Sequence, residues 1–228
     1  MMRNYFFCCL SILLSSAFFS CSSNKVKKDE TIQKAPVRPP VTIGNQTWTT
    51  QNLDVDQFSN GDKIPEAKSQ QEWISAIKSK KPAWCYYYND AKNGVKSGKL
   101  YNWYAVSDAR GLAPSGWHVP TDDEWTTLVK FLGDDKSLEE KIKSTEGWKN
   151  DENGKNTSGL SLVPGGYRYS NGFFDPTGSS AYYWSASIDN QLKGDSIALG
   201  RSLGFDGSFQ TYWLSKGLGL SVRCVKNN

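Results

Sequence analysis

An α+β fold with an antiparallel sheet is predicted for residues 41–228, and three observations predict it. The first half of that stretch carries helix starts in which a hydroxyl residue is followed three positions later by glutamate. From about residue 158 the texture changes to short β-prone runs split by glycine. At the front, Val41-Thr42-Ile43-Gly44-Asn45-Gln46-Thr47-Trp48-Thr49 alternates apolar and polar residues around Gly-Asn, a pair that accepts positive φ, and reads as a β-hairpin.

The helix starts are Ser69 with Glu72, Thr121 with Glu124, and Ser137 with Glu140. In each, both side chains can satisfy backbone N–H groups left open at a helix start. After the second, Trp125, Leu128, Val129 and Leu132 recur at helical spacing and Gly133 supplies the stop. The run from Leu100 to Val106 fits helix or strand by pattern, with a short helix favoured. The later β-prone runs are 160–163, 167–169, 182–186, 196–199, 209–213 and 219–225, separated by long loops rich in Gly, Asp, Asn and Ser.

Ahead of the domain, Arg3 precedes an almost unbroken apolar run from Tyr5 to Leu14. That length suits a signal peptide, because a membrane span needs about 20 apolar residues. The segment 1–20 ends Ala17-Phe18-Phe19-Ser20 before Cys21, which resembles a lipobox, with Phe18 standing where an aliphatic residue is usual. The resemblance implies cleavage before Cys21 and a lipid on its thiol, hence an exported bacterial lipoprotein of the cell envelope, in the outer membrane. Two or more acyl chains anchor stably. Residues 21–40 hold no aromatic and end in a Pro-rich run, so a disordered tether is expected.

Composition excludes one partner class. The net charge of +4 comes from Arg3 and the tether, whereas the domain balances 21 basic against 21 acidic side chains. Nucleic acid is therefore set aside as a partner, since a binder of phosphate backbones concentrates positive charge on its folded face. Only Cys85 and Cys224 fall in the domain. In an oxidising compartment a disulfide between them is expected, removing up to about 5 kcal/mol of denatured-state entropy; two separately buried thiols are the alternative.

Several segments together carry a family signature: Trp48 with Asn52-Leu53, Cys85-Tyr86-Tyr87-Tyr88-Asn89-Asp90, Gly98 to Val106, Pro114-Ser115-Gly116-Trp117-His118-Val119-Pro120 running on to Trp125, Pro164-Gly165-Gly166, Trp184-Ser185, and Ser221-Val222-Arg223-Cys224-Val225. In order and coverage they are similar to the Fibrobacter succinogenes major paralogous domain. Ala113 departs from the pattern, where many members place cysteine. More distantly, the helix start at Val119 to Trp125 and the closing Ser-Val-Arg-Cys-Val resemble the formylglycine-generating-enzyme group within the C-type-lectin-like fold. That resemblance implies paired termini, two helices and a small twisted sheet beneath long ligand-bearing loops. Function does not follow from such a fold.

Residue chemistry favours binding over catalysis. His118 is the only histidine, too few for a structural zinc set with two distant cysteines, and is expected to frame the helix that follows. No Gly-x-Ser-x-Gly elbow occurs, and the copper-dependent oxidation of the distant group needs a cysteine pair where only Cys224 stands. Neither a metal nor another cofactor is expected, although Asp189, Asn190, Asp195 and Asp206 lie in loops that offer oxygens to Ca²⁺ without regular spacing. Nine tryptophans suggest a glycan-stacking surface, most of them being core. Trp184 and Trp213 are expected to be exposed, accompanied by Tyr182, Arg168 and Arg201. The expected function is a non-enzymatic binding module for glycan or peptide. A structural or adhesion protein without a small-ligand pocket is the alternative, and a hydrolase built on His118 ranks third.

Overall fold

The opening hairpin forms as its alternation requires: β1 (Val41–Ile43) pairs antiparallel with β2 (Gln46–Trp48), and Gly44 turns the chain at φ +61. A side chain at Gly44 would meet both that backbone conformation and the Phe131 ring about 3.0 Å from its Cβ. The structure is a computed structural model that describes residues 36–133, 137–149, 152–175, 181–188, 196–203 and 208–227. Cys21 and the loop positions Asp189, Asn190, Asp195 and Asp206 lie outside the described residues.

The fold is α+β, with small antiparallel sheets. Chain order is β1, β2, α1 (Gln70–Lys78), β3 (Trp84–Cys85), a 3-10 turn (Tyr87–Asn89), α2 (Ala91–Ser97), β4 (Leu100–Tyr101), α3 (Trp103–Val106), β5 (Trp117–His118), α4 (Asp122–Leu132), α5 (Leu138–Ile142), β6 (Ala181–Trp184), β7 (Ile197–Leu203), β8 (Phe209–Ser215) and β9 (Val225–Lys226). One sheet runs β1-β2-β9-β5, so the two ends of the domain pair, with Trp48 opposite Val225 and His118 also opposite Val225. The others are β3-β4 and β6-β7-β8. Residues 219–221 cross between them through bridges to Arg168, Tyr101 and Tyr183. Among the described residues no helix is long and apolar enough to cross a membrane.

Two of the three helix starts form reciprocal caps. The Ser69 hydroxyl accepts from the Glu72 N–H and the Glu72 carboxylate accepts from the Ser69 N–H, as Thr121 and Glu124 do for α4. The third differs. Ser137 already has helical backbone angles (φ −84, ψ −11) and makes no side-chain cap, while Glu140 reaches Lys155 at 2.8 Å. A capping hydroxyl needs extended backbone to reach the N–H two or three residues on, which Ser137 lacks. The run from Leu100 to Val106 divides at Asn102, whose side chain accepts from the Ala105 N–H at 3.0 Å and the Ala83 N–H at 3.1 Å, ending β4 and starting α3.

Burial gathers into three clusters. The first centres on Trp84, Tyr101, Trp103, Trp184, Val222 and Cys224. The second stacks Trp125 against Trp48 (centroids 4.5 Å), Phe209 (5.4 Å) and Tyr183 (5.9 Å). The third packs Trp73, Cys85, Tyr87 and Leu100 under α1. The expected disulfide is corrected by this packing: Cys85 and Cys224 are free, buried thiols in different clusters. Loss of solvation pushes each thiol up to about 12, so neither is a thiolate near neutrality.

Candidate functional site

Of the five described non-glycine residues with left-handed backbone, Lys80 (φ 50) lies apart and four fall between 88 and 161: Tyr88 (φ 54), Asn89 (φ 54), Asn156 (φ 50) and Ser161 (φ 56). Such conformations cost about 1–3 kcal/mol each unless the surroundings impose them, and they gather at ligand sites. Three of the four, Tyr88, Asn156 and Ser161, line one cleft of about 690 Å³. Its lining includes Tyr87, Tyr88, Asn93, Lys96 and Ser97 from the segment that ends at α2, and Ser144, Thr145, Glu146 and Asn156 from the segment after α5. Asn52, Ser161 and Arg223 form its floor.

The Tyr88 wall is set from below. Tyr87 is buried, its hydroxyl donating to the Asp175 carbonyl and its ring lying 4.3 Å from Tyr88 and 5.5 Å from Phe174. Asn93 donates to the Tyr87 carbonyl at 2.8 Å, and Arg168 donates to Asn89 Oδ1 at 3.3 Å. The same guanidinium donates to the carbonyls of Ala67 (3.0 Å), Ser69 (2.9 Å) and Gly172 (3.0 Å). With Tyr87 held inward, Tyr88 stands outward, 57% exposed.

The floor is a second fully buried arginine. Arg223 donates to Asn52 Oδ1 (2.7 Å) and to the carbonyls of Thr49 (2.8 Å), Leu160 (2.8 Å) and Ser161 (2.6 Å). Ser161 turns left-handed with its N–H on Asn156 Oδ1 at 2.7 Å, which leaves its carbonyl on the guanidinium. Burial pushes Arg223 below the usual guanidinium value, and no salt bridge to it occurs among the described residues. At the rim, the end of the expected tether is seated on the domain: Gln51 donates to the Pro36 carbonyl (2.9 Å) and accepts from the Arg38 N–H (2.8 Å), and Thr50 donates to the Pro39 carbonyl (3.0 Å). Residues 36–40 of the expected tether thus meet 50–51 through their backbone.

The residues chosen from sequence do not assemble into one site. Trp184 is 0% exposed, donating to the Tyr101 carbonyl at 2.7 Å, so it presents no stacking face. Arg168 is the buried support just described, and Arg201 is buried against Asp122 Oδ1 at 2.9 Å, with Thr211 donating to the same oxygen. Carbonyls and an internal carboxylate are what these arginines engage. Trp213 is 60% exposed on β8, as expected. Tyr182 is half-buried on the opposite face of that sheet from Arg201, its ring 4.7 Å from Tyr167. Tyr167 continues to Tyr169 (rings 4.8 Å apart) through a hydroxyl chain ending on the Asp175 carboxylate. Tyr88, Asn52, Asn156 and Arg223 were missed as site residues. The one signal for them was the Tyr86-Tyr87-Tyr88 run, since successive residues cannot all face one core.

His118 borders a shallower cavity of about 560 Å³, with its ring nitrogens 2.7 Å from Asn227 Oδ1 and 2.7 Å from Glu124 Oε1. Partial burial opposes ionisation of Glu124, but the Thr121 N–H, His118 and the Thr121 hydroxyl outweigh it and hold the carboxyl below its ordinary 4.5. A depressed native value means stability that is present above the unfolded value and lost as pH falls through the native one. Glu124→Gln is accordingly expected to be less stable than wild type at pH 7, by under about 1 kcal/mol given its solvent exposure, with the gap closing below pH 4.5. Urea midpoints from pH 7 to 3 measure it; a gap that persists unchanged at pH 3 would contradict this assignment. Among the described residues no cluster of three or more His, Cys, Asp or Glu could hold a metal.

A family model described as the Fibrobacter succinogenes major domain matches residues 41–226, spanning the hairpin, the cleft and the closing strand β9. No curated protein and no solved structure matches the chain. With paired termini, both reciprocal caps and the Ser221 to Val225 segment all inside the matched stretch, this chain belongs to the Fibrobacter succinogenes major domain family.

Proposed function

We propose that this family member is an exported, lipid-anchored binding module, held to the cell envelope by acyl chains on Cys21, whose domain takes a glycan without transforming it. In this reading a C-type-lectin-like frame presents the cleft beside Tyr88. The observation that carries it is the cleft itself: about 690 Å³, walled by an outward tyrosine on a constrained turn and lined by the amides and hydroxyls of Asn93, Ser97, Thr145 and Asn156. An aromatic face beside amides and hydroxyls suits a pyranose, whose C–H face is apolar and whose edge is hydroxylated. A peptide is the second reading, since Pro36, Val95, Val163 and Pro164 give the lining an apolar part as well. His118 has both ring nitrogens committed to framing α4 and the end of β9, which favours binding over hydrolysis.

Screening the full-length chain on a glycan array and titrating the hits tests the reading. Tyr88→Ala is expected to weaken the best glycan about tenfold, the scale of one aromatic contact, whereas Trp213→Ala on β8 leaves it unchanged. Binding that survives Tyr88→Ala, or no glycan bound at all, overturns it and leaves the adhesion alternative. For the anchor, labelled palmitate is expected on the wild-type chain and not on Cys21→Ser, which moves to the soluble fraction. Wild-type protein found unlabelled in the cytosol with its amino terminus intact refutes the anchoring.

A further inference from the structure

The cleft concentrates positive charge in a domain that is otherwise balanced. Among the described residues its lining holds Arg38, Lys96 and Arg223 against one carboxylate, Glu146. Arg223 is fully buried, and among the described residues its hydrogen-bond acceptors are neutral: one amide oxygen and three carbonyls. Carbonyl oxygens satisfy its N–H groups but do not cancel its charge, and a charge in the low-dielectric interior projects its field far more strongly than one in water. Arg38 lines the same cleft as Arg223. It is held there by the backbone bond from its N–H to Gln51 and by the Pro36 and Pro39 contacts that flank it. Two guanidiniums and an ammonium around one concavity repel one another, and an anion entering between them relieves that repulsion.

We infer that the glycan taken by this cleft is an acidic saccharide, with its anionic group facing Arg38 and Lys96 above the Arg223 floor and its ring on Tyr88. The inference rests on the reading of the cleft as a glycan site and adds the substrate class. A hydroxyl lining alone would not discriminate a uronate from its neutral parent. The cationic floor and rim do, and Glu146 in the same lining sets the limit on how strongly.

Calorimetric titration of the full-length chain with methyl β-glucuronide, methyl β-glucoside and methyl β-glucoside 6-sulfate separates the possibilities. These probes differ only in the group at C6. At least one charged sugar is expected to bind about tenfold tighter than the glucoside, with an affinity that falls as salt rises from 0.05 to about 0.5 M. The tighter of the two arms identifies carboxylate or sulfate. The double variant Arg38→Gln, Lys96→Gln, at exposed positions where folding is not at stake, is expected to bring the charged sugar down to the glucoside's affinity. Glu146→Gln is expected to raise it severalfold. Equal affinity for charged and neutral sugars, still dependent on Tyr88, overturns the acidic preference and leaves the glycan reading intact. Failure of all three sugars, together with an empty array, removes both.

Discussion

Arg223→Met is expected to destabilise the domain by about 3–5 kcal/mol, the scale for removing one partner from a buried charged network. Methionine approximates the length of the arginine stem, so little packing is lost. What is lost are the donors to Asn52, Thr49, Leu160 and Ser161, every one of which stays behind without its bond to the guanidinium. The three carbonyls belong to segments more than a hundred residues apart in sequence, the end of the hairpin and the 160–161 turn, so the guanidinium is also what closes the cleft floor. Arg223→Lys is expected to recover only part, because one ammonium cannot reproduce a planar fork serving four acceptors. Urea unfolding of the full chain, followed by tryptophan fluorescence, measures both; a loss under about 1 kcal/mol for the methionine variant would show that water or rearranged backbone replaces the guanidinium at no cost.

Trp125→Ala is expected to cost about 3–5 kcal/mol, as for other large-to-small aromatic truncations in a core. Its indole is fully buried and touches Trp48, Tyr183 and Phe209, so its removal opens a void between the hairpin, α4 and the β6-β7-β8 sheet at once. Those elements come from opposite ends of the domain and cannot collapse toward one another without breaking the pairing of Trp48 with Val225. Trp125→Phe is expected to retain part of the stability by keeping an aromatic ring there. If the alanine variant unfolds within 1 kcal/mol of wild type, the second cluster is not the cooperative core described above.

Much of the framework was legible because it is local. The Gly44-Asn45 turn, the Ser69 and Thr121 caps and the spacing of Trp125, Leu128 and Val129 each rest on residues a few positions apart, where backbone sterics and short hydrogen bonds decide. The third cap misled because Ser137 and Glu140 have the right spacing in the wrong backbone. Helix α2 escaped prediction for the complementary reason: Asp90 caps it, but no apolar stripe marks it and Gly94 interrupts it. A cysteine pair in an oxidising compartment suggested a bridge, yet Cys85 and Cys224 were drawn into different clusters, and no local pattern distinguishes those outcomes.

The amino-acid order alone determined the family, the α+β class and the two capped helices, because those depend on short-range chemistry and on motifs kept in register along 41–226. Only the tertiary structure decided which side chains meet solvent. Trp184 and Trp213 sit in similar β-prone runs, but Trp184 is covered by the Tyr101 backbone 83 residues away, while Trp213 lies on β8, the last strand in its sheet order. Arg168 and Arg201 read as surface charges until distant carbonyls and the Asp122 carboxylate arrive to bury them. Burial is set by whatever chain folds over a residue, and that neighbour is rarely written nearby.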